Sequence, residues 1–593
     1  MFAGSMHVLS MHTSSQASDN LTVFDYSEGC LTMSTTPQST PSATSPPPTG
    51  AVARPALTVV LACLGVFASY VPIGGVAVSL PTIQRGLGAS TSDLQWISDF
   101  FILPMAALIL TFGLIGDLYG RKKAFLAGLA LLAVGAAVNL TAHSVAQVWV
   151  GQALSGAGGA ALLTSSLALI SHAYPDFRTR AKAISAWAAS LGLGMSLGPL
   201  VSGTILEHAS WRWIFAPTVV ICLIGAVIAV ALLEDSRSAH GRAIDVPGQL
   251  TAIVAISGLI YGVIEGGTSG WTHGPVLAAF ALAVLGLVAF VWVERRSAAP
   301  MLSLDLFSSR VFSGAGVVTM LTMFGLVGIV FSLSLFFGNV QHLSALEIAY
   351  RFLLVNGLGV VFGPIVGRLV GRIAPGLLLT GGLVLTGIGM LSLNTLDTDT
   401  GFAALIAPLA VIGVGFAFVM TPITSIAVSS VPHHLAGMAS AGNNTLRQLG
   451  GALGPAVLGA VLTSRITAGL PGHLADSGLA DADREHVRSA VSDEGLSAAG
   501  HLGLAPEPTG RALGAIGDSF ADAMHVCMTI AGAGMFAAAV ITVLTIGVRR
   551  AKPHGGTAVR ASGPATASGR VPARAAAATV AAGTGSAAGA DGA

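Results

Sequence analysis

Of 593 residues, 53% are hydrophobic and only 9% are Asp, Glu, Lys or Arg, where soluble globular chains carry roughly 25% charged residues. Mean hydropathy is +0.78, so lipid rather than water must be the solvent for most of the chain. The net charge of +1 argues against a nucleic-acid partner, which needs a basic surface.

In chain order, residues 1–54 are rich in Ser, Thr and Pro and read as a disordered cytoplasmic tail. Met33 within it is a plausible alternative start. Apolar runs long enough to cross a bilayer then recur at about 56–80, 94–115, 123–142, 147–171, 181–206, 212–233, 247–266, 275–293, 311–337, 347–371, 376–394, 402–427, 436–463 and 522–547. The segment 464–519 between the last two is polar and net acidic and reads as an external loop. Residues 551–593 form a second tail. The fold class is therefore an all-α membrane protein with about fourteen transmembrane helices.

Loop charges set the expected orientation. Arg121, Lys122 and Lys123 follow the second span, and Arg178, Arg180 and Lys182 follow the fourth. Arg237, Arg242, Arg295, Arg296, Arg310, Arg368, Arg372, Arg549, Arg550 and Lys552 continue the alternation, whereas the other loops hold little beyond Arg85 and Arg212. Positive residues stay inside, so both termini are expected in the cytoplasm, with the chain in a plasma membrane.

An internal echo organises the spans. Leu193-Gly194-Met195-Ser196-Leu197-Gly198-Pro199 parallels Leu449-Gly450-Gly451-Ala452-Leu453-Gly454-Pro455, and Gly116-Asp117-Leu118-Tyr119-Gly120-Arg121 parallels Gly367-Arg368-Leu369-Val370-Gly371-Arg372. Both pairs fall at equivalent places if the chain is two six-helix units, 55–235 and 301–550, with an inserted helix pair at 236–300.

Three constellations carry candidate function. The first is Gly113, Gly116, Asp117, Gly120, Arg121 and Lys122: glycines permit a tight turn, Asp117 can meet the positive N-terminus of the next helix, and Arg121 can reach Asp117 or a neighbouring helix end. A capped positive-inside loop would use the same residues. The second is Gly194, Gly198, Pro199 and Gly203, small residues that let helices approach closely; ordinary packing is the alternative. The third is a scatter of polar groups within spans. Asp99 lies about 7 Å from the outer end of its expected span, either an interfacial anchor or a pathway group. Arg447 lies near the midplane, where a charge is functional by default; a structural hydrogen-bonding centre for neighbouring helix carbonyls is the alternative, and no acidic partner is evident. Asn443, Asn444, Gln152 and Asn356 complete the set; Asn339 and Gln341 are further candidates for substrate contact, and Asp522 and His525 open the last span.

These motifs resemble the major facilitator superfamily. The 113–123 loop resembles its signature, and the glycines of the fifth span resemble the antiporter motif of its drug-exporting branches. Trp211-Arg212-Trp213, Asp245-Val246-Pro247-Gly248, Glu294-Arg295-Arg296 and Asn443-Asn444-Thr445-Leu446-Arg447-Gln448 resemble the fourteen-span drug/proton antiporters, including actinomycete antibiotic exporters. The resemblance implies the major facilitator fold and a 113–122 loop that acts as a conformational latch. It also implies proton-coupled export of a small amphipathic compound by alternating access. Export of an endogenous metabolite such as a siderophore or amino acid uses the same machinery, and a non-transporting receptor or scaffold is the alternative of another class. Pro72 and Gln152 stand where the family carries an Asp and an Arg, which puts its usual proton route in doubt here.

Little points to an enzyme: no phosphate-binding loop or nucleophile–base set is visible. Cys30, Cys63, Cys222 and Cys527 show no paired spacing. No cofactor or metal is expected. The partners are a small-molecule substrate, protons and the lipid bilayer, with the chain a monomer.

Overall fold

A computed structural model describes residues 54–236, 245–297, 300–370, 372–432, 435–494 and 502–547. The tail expected over 1–54, apart from Arg54, and the tail over 551–593 lie outside them. So do Cys30, Met33, Gly371 and the loop charges Arg237, Arg242, Arg549, Arg550 and Lys552.

The helices that fall in the expected first unit are α1 (Pro55–Leu87), α2 (Thr91–Tyr119), α3 (Arg121–Leu140), α4 (Val145–Ala173), α5 (Phe177–His208) and α6 (Ala216–Leu232). The inserted pair is α7 (Val246–Ser269) and α8 (Gly274–Arg296). The second unit continues with α9 (Arg310–Leu335), α10 (Ala345–Val370), α11 (Pro375–Ser392), α12 (Phe402–Ser429), α13 (Ala436–Asp476), the short α14 (Asp481–Glu494) and α15 (Pro506–Thr545). All but α14 are long and apolar enough to span a bilayer, fourteen among the described residues. Local chemistry fixes several starts. Ser90 and Asp93 form a reciprocal capping box at α2, and Ser144 and Asp176 cap α4 and α5.

Within each unit, glycines replace the side chains that would keep helices apart. In the first, α5 packs on α1, with Gly198 against the Val71 carbonyl and Gly194 against that of Phe67. In the second, α13 packs on α9 in the same way, with Gly450 against the Met320 carbonyl and Gly454 against that of Phe324. A third match joins them. Gly156 of α4 abuts the Phe101 carbonyl of α2, and Gly413 of α12 abuts the Leu354 carbonyl of α10. The Gly-rich echo in the sequence is thus the same contact made twice.

The units meet along two seams, α2 on α13 and α5 on α10. Helix α7 lies over the first seam. Gln249 donates to the Ala107 carbonyl of α2 at 2.7 Å, and Gly267 abuts Ala460 of α13. Helix α8 packs mainly on α7 and turns Leu282, Leu285, Val288 and Trp292 outward, as a helix facing lipid should.

The polar stretch 464–519, expected as a loop, is largely helical. Helix α13 runs on to Asp476, α14 follows, and α15 begins at Pro506. Leu470, Leu474, Leu479, Val487, Val491, Leu502 and Phe520 are buried there, continuous with the core of the helices beneath them. The last span consequently starts well before Asp522 and His525: Asp522 pairs with His473 at 3.0 Å, and the His525 imidazole lies 2.8 Å from the Leu396 carbonyl.

The two ends of the molecule differ. At the end bearing α14 the units are locked together. Gly203 sits against Ala345 and Leu346, Gly338 against Pro81, and Ser334 donates to the Ala77 carbonyl. Asn339 donates to Gln84 at 2.8 Å. Toward the end bearing Arg121, past the contact of Gly192 with Val360, α5 and α10 are more exposed. Val361, Pro364, Ile365, Gly367 and Arg368 are exposed on more than one side of α10, as are Lys182, Ala186, Ala188 and Ala189 on α5.

Candidate functional site

Between the units lies a narrow void with about 60 Å³ of room for the centres of water-sized spheres, or about 710 Å³ of non-atom space when the open solvent at its mouth is counted. Its walls come from α1, α2, α4 and α5 on one side and α9, α10 and α13 on the other. Ile73, Leu80, Phe101, Met195, Phe331 and Phe352 make it apolar; Ser98, Gln152 and Asn356 supply its polar atoms. None of the residues lining it is charged. An apolar cavity with a few placed polar groups suits a small organic ligand.

Of the expected pathway residues, Gln152 and Asn356 line this void, and so does Pro199 of the small-residue motif. Gln152 is 2% exposed and held at both ends, donating to the Ile97 carbonyl at 3.1 Å and accepting from Asn139 at 3.2 Å. A neutral amide standing in the family's Arg position is therefore a packed bracket between α2, α3 and α4. Asn443 is turned away, accepting from Thr319 of α9 at 3.1 Å, while Asn444 is half-buried. Asn339 and Gln341 lie outside the void. The first belongs to the locked end, and the second donates to the carbonyls of Thr398 and Thr400.

Asp99 is deeper than its place in the sequence implies. It is 0% exposed, and neither carboxylate oxygen has a hydrogen-bond partner. Helix α2 starts at Thr91, three residues ahead of the expected span, and α13 and α7 run beside it past that level. Gln95 and Ile102 of α2 both touch α13, at Gly459 and Gly451. Asp99 falls between them on the same helical stripe, at i+4 and i−3, so it sits on the seam between the units. Gln95, one turn away, is also buried with its carbonyl oxygen unpartnered.

Arg447 is half-buried, and its guanidinium donates to the Tyr70 hydroxyl at 3.2 Å. Tyr70 is on α1 and Arg447 on α13, helices that do not pack along each other, so this bond crosses the gap between the units. Among the described residues no carboxylate makes an ion pair with Arg447.

The 113–122 loop folds as a charge network with one member the sequence reading missed. Arg121 donates to Asp117 at 2.9 Å and to the Ala168 carbonyl of α4 at 3.4 Å. Asp117 occupies the last turn of α2, and the carboxylate at the N-terminus of α3 is instead Asp235, just after α6. Asp235 accepts from the Lys122 amide at 3.2 Å, and the neighbouring Ser236 carbonyl accepts from the Arg121 amide at 2.9 Å. Lys122 reaches the Val230 carbonyl with its ammonium group at 2.9 Å. Gly120 (φ 116°) makes the turn, and a β-carbon there would sit 2.6 Å from the Asp235 carboxylate. Gly116 packs on Ala124. Apart from Ser236, one residue past its expected bound, these partners belong to the first unit.

A side chain at Gly120 should therefore dislodge Asp235 from the start of α3. Gly120→Ala is expected to lose that cap and add backbone strain, together about 1–3 kcal/mol. The check is a lower thermal midpoint of the purified protein in detergent.

A profile of the Major Facilitator Superfamily matches residues 62–455. The chain belongs to the major facilitator superfamily. Relatives place it in that superfamily's drug-efflux branch. It is 31% identical over 512 residues to the tetracenomycin C resistance and export protein of Streptomyces glaucescens, covering 86% of this chain and 94% of that one. It is 32% identical over 447 residues to the multidrug resistance protein Stp of Mycobacterium tuberculosis, covering 75% and 83%. A solved bacterial homologue of the lysosomal transporter Spinster, inward-facing and unoccupied, superposes with a TM-score of 0.57 at 15% identity, covering 85% of this chain and all of that one. That likeness shows the superfamily's fold. The chain is thus a multi-pass membrane protein built for transport.

Proposed function

We propose that this major facilitator exports small amphipathic organic compounds, antibiotics among them, across the bacterial plasma membrane in exchange for protons. The observation that carries the coupling is Asp99, a fully buried carboxyl with no partner at either oxygen, on the seam that must slide when the units rock. An unpaired charge there is expensive, so the carboxyl is placed to take up and release a proton as the seam opens and closes. Opening the far end would hydrate the seam and let the proton exchange. Export rests on the names of the relatives, a resistance and export protein and a multidrug resistance protein. The excess of Arg and Lys beside α2, α4 and α8 supports a cytoplasmic Arg121 end. On that reading both termini are cytoplasmic, the α14 cap is external, and the void faces inward.

The test is expression in an efflux-deficient host with a panel of compounds, with and without Asp117→Asn. Raised resistance to at least one compound, lost in the variant and collapsed by a protonophore, is the expected result. Unchanged susceptibility to every compound despite verified membrane insertion removes the export reading. Efflux indifferent to the protonophore removes the coupling.

A further inference from the structure

The void and the charge beside it constrain what can be carried. The void has an apolar body, no charged lining residue and few polar atoms. Toward the Arg121 end stand Tyr70, three residues before Ile73 on α1, and Arg447, eight residues before Pro455 on α13. Ile73 and Pro455 both line the void, so at 1.5 Å per residue the backbones of Tyr70 and Arg447 lie about 5 and 12 Å below it. Arg447 crosses the gap between the units to Tyr70, which places its guanidinium at the mouth through which an inward-facing void fills. Its described partner is a neutral phenol. That is a weak match for a cation that could form charge-assisted, bidentate bonds with an oxyanion.

We infer that Arg447 and Tyr70 form an inner gate that reads an acidic group on the substrate. The class is a small, largely apolar compound bearing a carboxylate or another acidic group, whose anion displaces the Tyr70 hydroxyl from Arg447 while the apolar body enters the void. This deepens the proposed export function and rests on it. An organic cation would have to pass a fixed positive charge and then find no carboxylate among the lining residues, so cations are disfavoured. Transport of an anion outward against a proton inward moves two charges per cycle in the direction the membrane potential drives, where a neutral substrate moves one.

The test keeps one ring and changes its charge. Binding of anthracene-9-carboxylate, 9-anthracenemethanol and 9-(aminomethyl)anthracene to the full purified chain in detergent is followed by their fluorescence at neutral pH. The acid should bind at least tenfold tighter than the amine, with the alcohol between them. Arg447→Gln should bring the three within about twofold of one another, whereas Arg447→Lys keeps most of the acid's preference, at tenfold per 1.4 kcal/mol. Tyr70→Phe should tighten the acid alone, since it removes the group the acid must displace; a purely structural role for Arg447 and Tyr70 does not produce that selective gain. Equal binding of the three rings, binding of none, or an acid preference that survives Arg447→Gln overturns the inference. Displacement of the acid by added phosphatidylglycerol also overturns it, because it assigns Arg447 to a lipid headgroup. A transporter that raises resistance in the efflux-deficient host yet prefers the amine loses only this charge selection. A chain that raises no resistance at all loses the export reading itself.

Discussion

Asp99→Asn is expected to reduce proton-driven efflux to the level of cells lacking the transporter while leaving the downhill exchange of substrate intact. Export against a gradient requires that the carrier crosses between its access states with either the substrate or the proton bound and not with both, which is a coupling free energy between the two ligands. An amide removes the titratable group and so removes that coupling. Exchange needs the units to rock but not to take up a proton. Asp99→Leu separates this from a structural role. Removing one partner of a buried hydrogen bond costs about 1–3 kcal/mol, but replacing a buried polar group that has no partner by an apolar one of similar size is neutral or stabilising. Both Asp99 oxygens lack partners, so the Leu variant should fold with an unchanged or higher thermal midpoint and still be uncoupled. Proteoliposomes with an imposed pH gradient measure the first quantity, and substrate counterflow without a gradient measures the second. Full gradient-driven efflux by either variant removes Asp99 from the coupling.

Much of this architecture was legible in the sequence because the bilayer imposes a length on each hydrophobic run. The spans expected for α3, α4, α7, α8, α10 and α12 agree with the observed helices to within a few residues at each end. The Gly-rich echo was legible for a similar reason, since close helix approach leaves few residue types to choose from. Hydrophobicity failed where helices leave the lipid. In the stretch that extends α13, forms α14 and begins α15, apolar residues are spaced along one face and number too few to resemble a span. Leu470 and Leu474, or Val487 and Val491, recur at i+4 and bury one face only. The depth of Asp99 was misjudged from the same cause, because the level of a residue depends on how far its neighbours extend, not only on its own helix. Asp235 was missed because its partner, the N-terminus of α3, is more than a hundred residues away in sequence, and nothing local in Glu234-Asp235-Ser236 distinguishes a member of this charge network from a loop acid. Gln152 carried a readable signal, an amide in place of a family charge, but its partners Ile97 and Asn139 emerged only from the packing.

Linking Gln84→Cys to Asn339→Cys with a short, reducible bifunctional thiol reagent should stop transport completely, and reductant should restore it. The two side chains meet across the units at the locked end, beside the contacts of Gly338 with Pro81 and of Ser334 with the Ala77 carbonyl. The void can empty at that end only if these contacts part. They are weak enough to part: a net hydrogen bond contributes only about 0.5–1.5 kcal/mol, and the second amide atom of Gln84 is buried without any partner. That is a seal adapted to breaking. A covalent link substitutes a bond that thermal motion does not open, and it does so without occupying the void, so binding of substrate from the Arg121 end should persist in the linked protein. The background for the experiment is the chain with Cys30, Cys63, Cys222 and Cys527 replaced by Ser, and each single cysteine should be insensitive to the reagent. Full transport by the linked protein would mean that this seam stays shut throughout the cycle, and rocking about the void would then not be how the substrate leaves.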